Sequence, residues 1–172
     1  MKNGALNSRM TLLLGWGSEL RGDDVAGRMV ARQVATLNRP DVEAIDIHQL
    51  TPEWAARLAD YDRVVFVDAR QNAPGTDGVP TLTRLDTSRD AAVPHSVHRV
   101  SPEYLLALAA RLYGACPEAW LLSLPVVCFD LGAPLSAQAA AGIAAAVAQC
   151  GRLLEHTVSV QTDWISRERK AS

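Results

Sequence analysis

Cysteine is scarce in this chain and shows no pairing pattern. Cys116, Cys128 and Cys150 are the three thiols in 172 residues. An odd, dispersed set gives no disulfide framework, and the lack of a CxxC pair removes the usual zinc-site signature. A reducing, cytoplasmic compartment is the simplest expectation. Long apolar runs are missing too: none reaches the roughly 20 residues needed to span a bilayer, and residues 1–9 lack the apolar core of a secretory signal. Nor is there an excess of charge. The formal net charge of -2 gives no electrostatic case for nucleic acid or an acidic membrane as partner. HExxH, GxSxG and the Walker loop are all absent, which removes the common protease, hydrolase and NTPase templates. Without an internal repeat, a low-complexity linker or a second core, the chain reads as a single domain spanning 1–172. Residues 1–9 and 161–172 are expected to be flexible tails.

What the chain does have is a regular alternation of strand-like and helix-like segments. The apolar run Leu12-Leu13-Leu14 reads as a buried strand, with Gly15 and Gly17 as the turn that ends it. From Val25 the apolar period becomes helical, through Met29, Val30, Val34 and Leu37. Val42 to Ile47 is a second strand. Pro52 to Leu58 is a short helix, with Thr51 as N-cap and Pro52 at the first helical position. Arg63 to Asp68 is a third strand whose continuous apolar run suits burial on both faces. A loop from Gln71 to Gly78 follows, then short strands over Val79 to Leu85 and Ser96 to Val100. Ser101-Pro102-Glu103 repeats the N-cap and proline pattern and opens a helix that reaches Tyr113-Gly114. Glu118 to Val127 is another buried strand, and the alanine-rich stretch from Ser136 to Leu154 is the last helix. This order predicts an α/β fold, a three-layer αβα sandwich around a mostly parallel twisted sheet.

The chemistry gathers at strand ends. Asp23 and Asp24 stand at the turn after the first strand, and Asp68 closes the third. In a doubly wound sheet with the third strand beside the first, these positions flank the crevice where ligands bind. Two carboxylates there suit a hard or borderline cation, or acid–base work. The plainer reading has Asp23 capping its helix, Asp24 complementing the helix dipole and Asp68 satisfying donors in a turn. The glycines also raise the dinucleotide fingerprint GxGxxG. Its third glycine position is Leu20, however, and acids stand where a pyrophosphate would meet the helix N-terminus, so like charge opposes phosphate there. Among the histidines, His156 lies near the end of the last helix and His48 follows the second strand. His95 and His98 precede the Ser101 helix, and His98 is the better placed to reach the crevice. Cys128, in an apolar stretch, reads as a small core residue rather than a thiol nucleophile.

Four segments taken in order, GWGSELRGDDVAG (15–27), HQLTPEWA (48–55), RVVFVDAR (63–70) and SPEYLLALAARLYG (101–114), resemble the maturation endopeptidases of nickel–iron hydrogenases. The resemblance runs from Thr11 to Leu153, and the HQLTPE and LYG segments look most like the branch serving soluble, NAD-coupled hydrogenases. It implies an αβα sandwich and an enzyme that removes a short C-terminal extension from a hydrogenase large-subunit precursor once nickel has been inserted. It also implies a metal-facing trio of two carboxylates and a histidine. The carboxylates fall on Asp24 and Asp68, which are thereby the candidate catalytic residues as well. The histidine falls on His98 in the branch that carries it shortly before the helix-opening proline. In the better-known branch it follows that proline, a position held here by Glu103. Nickel is expected to arrive with the precursor, which is the expected partner of a monomeric enzyme, and not as a tightly held cofactor. Two departures stand out: Ser18 where the family usually has Asn, and Ala133-Pro134 where an acidic residue usually precedes Leu-Ser. A non-catalytic metallochaperone or scaffold for the same precursor is the alternative function.

Overall fold

A computed structural model describes residues 9–72, 78–88 and 100–168, with side chains as far as Glu155. Its elements run β1 (Thr11–Trp16), a 3-10 turn over Gly22–Val25, α1 (Ala26–Ala35), β2 (Val42–Ile47), α2 (Trp54–Leu58) and β3 (Arg63–Gln71), followed by β4 (Thr81–Arg84), α3 (Pro102–Tyr113), β5 (Glu118–Val126) and α4 (Ala137–Glu168). The strands form one sheet in the order β2-β1-β3-β5-β4. Every neighbouring pair is parallel except β4 with β5. The chain leaves β1 to one side to make β2, then returns to the other side to make β3. The winding therefore reverses between β1 and β3.

Side chains alternate across these strands, and both faces are dry. Leu13, Val65, Val67, Leu122 and Leu124 face α1 and α4 through Val30, Ala31, Val34, Ile143, Ala146 and Leu154. Leu12, Leu14, Val64, Phe66 and Ala119 face α2 and α3 through Ala55, Leu58, Leu105, Leu106 and Ala109. This is why Leu12-Leu13-Leu14 and Val64-Val65-Phe66-Val67 are apolar without interruption: a strand covered by helices on both sides has no solvent face. The three-layer αβα sandwich around a mostly parallel sheet is the fold expected from the sequence.

Several boundaries differ from that expectation. Gly15 lies within β1 and does not end it. A Cβ on Gly15 would fall 2.0 Å from the Gly27 carbonyl oxygen, and one on Gly27 would fall 2.5 Å from that of Val67 and 2.7 Å from that of Trp16. These two glycines let the start of α1 lie directly on β1 and β3. Gly17 is the true turn residue, at φ +142°. β3 continues three residues past Asp68, which pairs with Ser123 inside the sheet. α2 begins only at Trp54, after a turn in which the Trp54 amide donates to the Thr51 carbonyl (3.1 Å) and the Ala55 amide to that of Pro52 (3.1 Å). Thr51 therefore supplies a backbone acceptor and no side-chain cap. α3 keeps the expected start: Ser101 Oγ accepts from the Tyr104 amide (3.2 Å), and Gly114 ends the helix in the left-handed region at φ +68°. α4 starts after Ser136 as expected but runs past Leu154 to Glu168, so residues 161–168, read as a tail, are helical. Of the strand expected over Ser96 to Val100, only Val100 lies among the described residues, and it is not in a strand. No described helix is long and apolar enough to cross a membrane.

The Gly27 contact gives a prediction in which two effects oppose. Alanine in a helix is favoured over glycine by about 1 kcal/mol, whereas overpacking against fixed backbone costs about 3 kcal/mol. Gly27→Ala is therefore expected to lower stability by about 2 kcal/mol net in urea unfolding. A more stable variant would contradict the close approach of α1 to the sheet.

Candidate active site at the carboxyl edge of the sheet

The carboxyl ends of β1, β2 and β3 are in register. Trp16 pairs with Ile47, Gly15 pairs with Val67, and the Gly17 amide donates to the His48 carbonyl (3.3 Å). Beyond these ends the turn after β1 doubles back. A Cβ at Gly17 would lie 1.8 Å from the Asp24 carbonyl oxygen, so glycine there lets the chain bring Asp24 close under the strand end. Asp24 Oδ2 accepts from the Ser18 amide (2.8 Å), and Ser18 Oγ accepts from the Leu20 amide (3.2 Å). The serine side chain thus organises the turn. The same geometry argues against phosphate: the amide that would cradle an anion already serves a carboxylate. Behind the turn, Arg28 and Arg32 of α1 both reach Asp46 of β2 (3.0 and 2.8 Å), and both also pair with Glu19 of the turn.

Asp23 does not cap its own helix. It is fully buried and turns toward the segment after β5. Oδ2 accepts from the amides of Val127 (3.1 Å) and Cys128 (3.0 Å) and from Ser136 Oγ (2.8 Å), while Oδ1 accepts from the Ser136 amide (2.7 Å). Its own amide donates to the Cys128 carbonyl (2.8 Å). Ser136 Oγ accepts in turn from the Ala139 amide (3.1 Å), so this serine caps α4 while it binds Asp23. Burial works against the negative charge, but the Ser136, Val127 and Cys128 donors outweigh it and hold the carboxyl below its ordinary value of 3.8. The acidic pair has separate roles: Asp23 holds the loop, and Asp24 faces the cleft.

That cleft encloses about 850 Å³, and Asp24 and Asp68 both line it. By strand alternation Asp68 shares the α2–α3 face with Val64 and Phe66. Trp16, edge-on to Phe66 at 6.3 Å and 77°, forms part of the same wall. Arg21 and Arg70 bring positive charge to the cleft, and Phe129 closes the side nearest the β5–α4 loop. His48 also lines it. Sequence reasoning set this histidine aside, although its position directly after β2, the strand beside β1, was the available signal. His98 lies outside the described residues, but Val100, two residues along the chain, lines the cleft. Glu103 sits in the first turn of α3 and is not among the lining residues. Among the described residues, no three His, Cys, Asp or Glu side chains are grouped closely enough to hold a metal ion.

No protein-family model matches the chain, and neither does any curated protein. Solved structures do. The hydrogenase maturating endopeptidase HybD from E. coli superposes with a TM-score of 0.66 at 20% identity, over 86% of this chain and 93% of that one. The NiFe hydrogenase maturation protease HycI from Thermococcus kodakarensis KOD1 gives a TM-score of 0.65 at 20% identity, over 87% and 93%. The hydrogenase 2 maturation peptidase from Thaumarchaeota archaeon SCGC_AB-539-E09 gives a TM-score of 0.65 at 28% identity, over 86% and 99%. The chain has the hydrogenase maturation protease fold. The motif resemblance from Thr11 to Leu153 thus coincides with a likeness of the whole architecture, and the two motif acids come together at one cleft of the maturation-protease scaffold.

The Asp23 cluster predicts a pH signature. Asp23→Asn sets an amide against donors that need an anion, and is expected to cost about 3 kcal/mol at neutral pH. Because the folded-state pKa is depressed, the wild-type advantage is fully present above about pH 3.8 and is lost as pH falls through the lower folded value. Melting temperatures of the two proteins should therefore converge in acid. A gap that stays constant below that range would show that the Asp23 charge is not what holds the loop.

Proposed function

We propose that this protein is an endopeptidase that removes the C-terminal extension of a nickel-loaded hydrogenase large-subunit precursor. The observation that carries the reading is the convergence of Asp24, from the turn after β1, and Asp68, from β3, on one cleft at the winding reversal of a hydrogenase maturation protease fold. Asp24, Asp68 and His98 face the nickel that the precursor brings. Two carboxylates and an imidazole are a donor set suited to a borderline cation such as Ni²⁺. Val100 in the cleft wall favours His98 over Glu103, because the chain reaches the cleft just after His98 and turns into α3 before Glu103.

In this mechanism the substrate metal positions the precursor and polarises the scissile carbonyl or the attacking water. One of the two aspartates takes the proton of that water as it adds to the carbonyl carbon. The C–N bond then breaks, and the same proton passes to the departing amine. Half-burial of Asp24 and its bond from the Ser18 amide hold that carboxylate in place before the precursor arrives. A precursor without nickel lacks the anchor, so cleavage is coupled to metal loading. The protein acts where metal and precursor meet, with no nickel of its own.

Incubation with purified precursor tests this directly. The nickel-loaded form is expected to lose the mass of its extension, and the nickel-free form to stay intact; equal trimming of both would end the nickel-check mechanism. Binding with no mass change would instead identify a scaffold or metallochaperone. Asp68→Asn should lower cleavage by roughly 100-fold or more. Of His98→Ala and Glu103→Ala, the first is expected to abolish processing and the second to preserve it. The opposite pattern would reassign the third group.

A further inference from the structure

We propose that the open edge of β3 at the cleft binds a stretch of the precursor polypeptide as an added β-strand, an inference that rests on the endopeptidase reading above. β1 and β3 are paired only as far as Gly15 with Val67, whereas β3 and β5 stay paired to Gln71 with Val126. From Asp68 to Gln71, then, β3 has a neighbouring strand on one side alone. Two hydrogen bonds fix which backbone groups face the other side. At the start of β3 the Arg63 amide donates to the Met10 carbonyl (3.2 Å), toward β1; just past its end the Asn72 amide donates to the Val126 carbonyl (2.8 Å), toward β5. Backbone groups alternate from side to side along a parallel strand. The β3–β5 register runs without a break, so the odd-numbered residues of β3 all turn toward β1. The Ala69 carbonyl and the Gln71 amide are therefore aimed beyond the end of β1, and among the described residues no hydrogen bond reaches them.

This edge opens into the cleft, which Asp68, Ala69, Arg70 and Gln71 line together with Gly17, Ser18 and Asp24 of the turn after β1. It is also held in place without a ligand. Ala69 packs into the α1–α4 layer at 8% exposure, and the β5 ladder keeps the backbone extended, so binding has little ordering to do here. An unpaired amide and carbonyl at ladder spacing recognise one chemistry, the extended peptide backbone. In parallel pairing, a single incoming residue opposite Arg70 donates to the Ala69 carbonyl and accepts from the Gln71 amide. The incoming strand takes the line that β1 leaves, about 4.8 Å from β3, and this carries it past Asp68. The occupant follows from that position. An endopeptidase substrate is polypeptide on both sides of the scissile bond, and backbone pairing grips it whatever its side chains. Chain held on this edge lies beside one of the two carboxylates that the mechanism above employs.

Gln71→Pro tests the edge, because proline deletes the amide and its ring fills the open side, away from β5. Steady-state cleavage of purified nickel-loaded precursor compares it with Gln71→Ala, which also loses the Gln side chain but keeps the amide. KM is expected to be roughly tenfold higher in the proline variant than in the alanine variant, with kcat of the two within about threefold. Equal KM values would overturn the added strand and leave the endopeptidase reading intact. Amide hydrogen exchange needs no substitution on the edge, and it decides the question if the proline variant does not fold. In the free enzyme the Gln71 amide should exchange roughly tenfold faster than that of Arg70, which points to β5. Nickel-loaded precursor bound to the slow Asp68→Asn enzyme should retard Gln71 by about the same factor. A Gln71 amide already protected in the free enzyme, or left unprotected in the precursor complex, would also overturn the proposal. A wild type that cleaves no precursor fails the endopeptidase reading before any variant is compared, and the added strand falls with it.

Discussion

The cleft depends on one buried carboxylate. Asp23 joins the turn after β1 to the loop after β5 and to the first turn of α4, three pieces of chain that share no backbone ladder at that point. A neutral side chain could accept some of these four hydrogen bonds; an anion accepts all of them, and each donor stabilises the charge that burial penalises. Two backbone amides and the Ser136 pair are satisfied at once, so removing the acid would leave several buried donors without partners. The cleft wall carrying Arg21 and Phe129 is therefore anchored from inside the protein, apart from any substrate.

A second constraint places the carboxylates that face the cleft. Gly15 and Gly27 allow α1 to touch the backbone of β1 and β3 where larger residues would force a gap. With the helix start held there, the Gly22–Val25 turn comes under the carboxyl end of β1, and Asp24 lines the same cleft as Asp68 of the neighbouring β3. A sheet whose winding reverses between two strands opens a crevice at their carboxyl ends. This protein fills that crevice with acid from one side of the reversal and acid from the other. In the mechanism proposed above, a cation carried in by the substrate offsets the like charge of the two carboxylates.

Much of this was legible in the chain. The apolar runs of β1 and β3 implied strands covered on both faces, and the alternation of Leu12, Leu13 and Leu14 between the two helical layers follows from that burial. Ser101-Pro102 specified the start of α3 because its cap is local chemistry, formed by residues three apart. Asp24 and Asp68 could be named because each belongs to a motif that follows an apolar run in the sequence. Asp23 could not be read correctly: its partners lie more than a hundred positions away, and a local cap was the only role its neighbours suggested. His48 was passed over for a related reason: its place directly after β2 was visible, but that β2 lies beside β1 and ends at the same cleft is fixed only by the strand order.

By itself, then, the sequence determined the elements, the layer architecture and the identity of the two motif acids. Those properties rest on periodicity, caps and short-range spacing, which act within a few residues. Only the tertiary structure decided that Asp23 is a clasp, that Gly15 serves helix packing and not a turn, and that the turn after β1 is bonded to the loop after β5. Each of these depends on contacts between segments whose proximity exists only once the sheet has ordered its strands and the helices have closed over it.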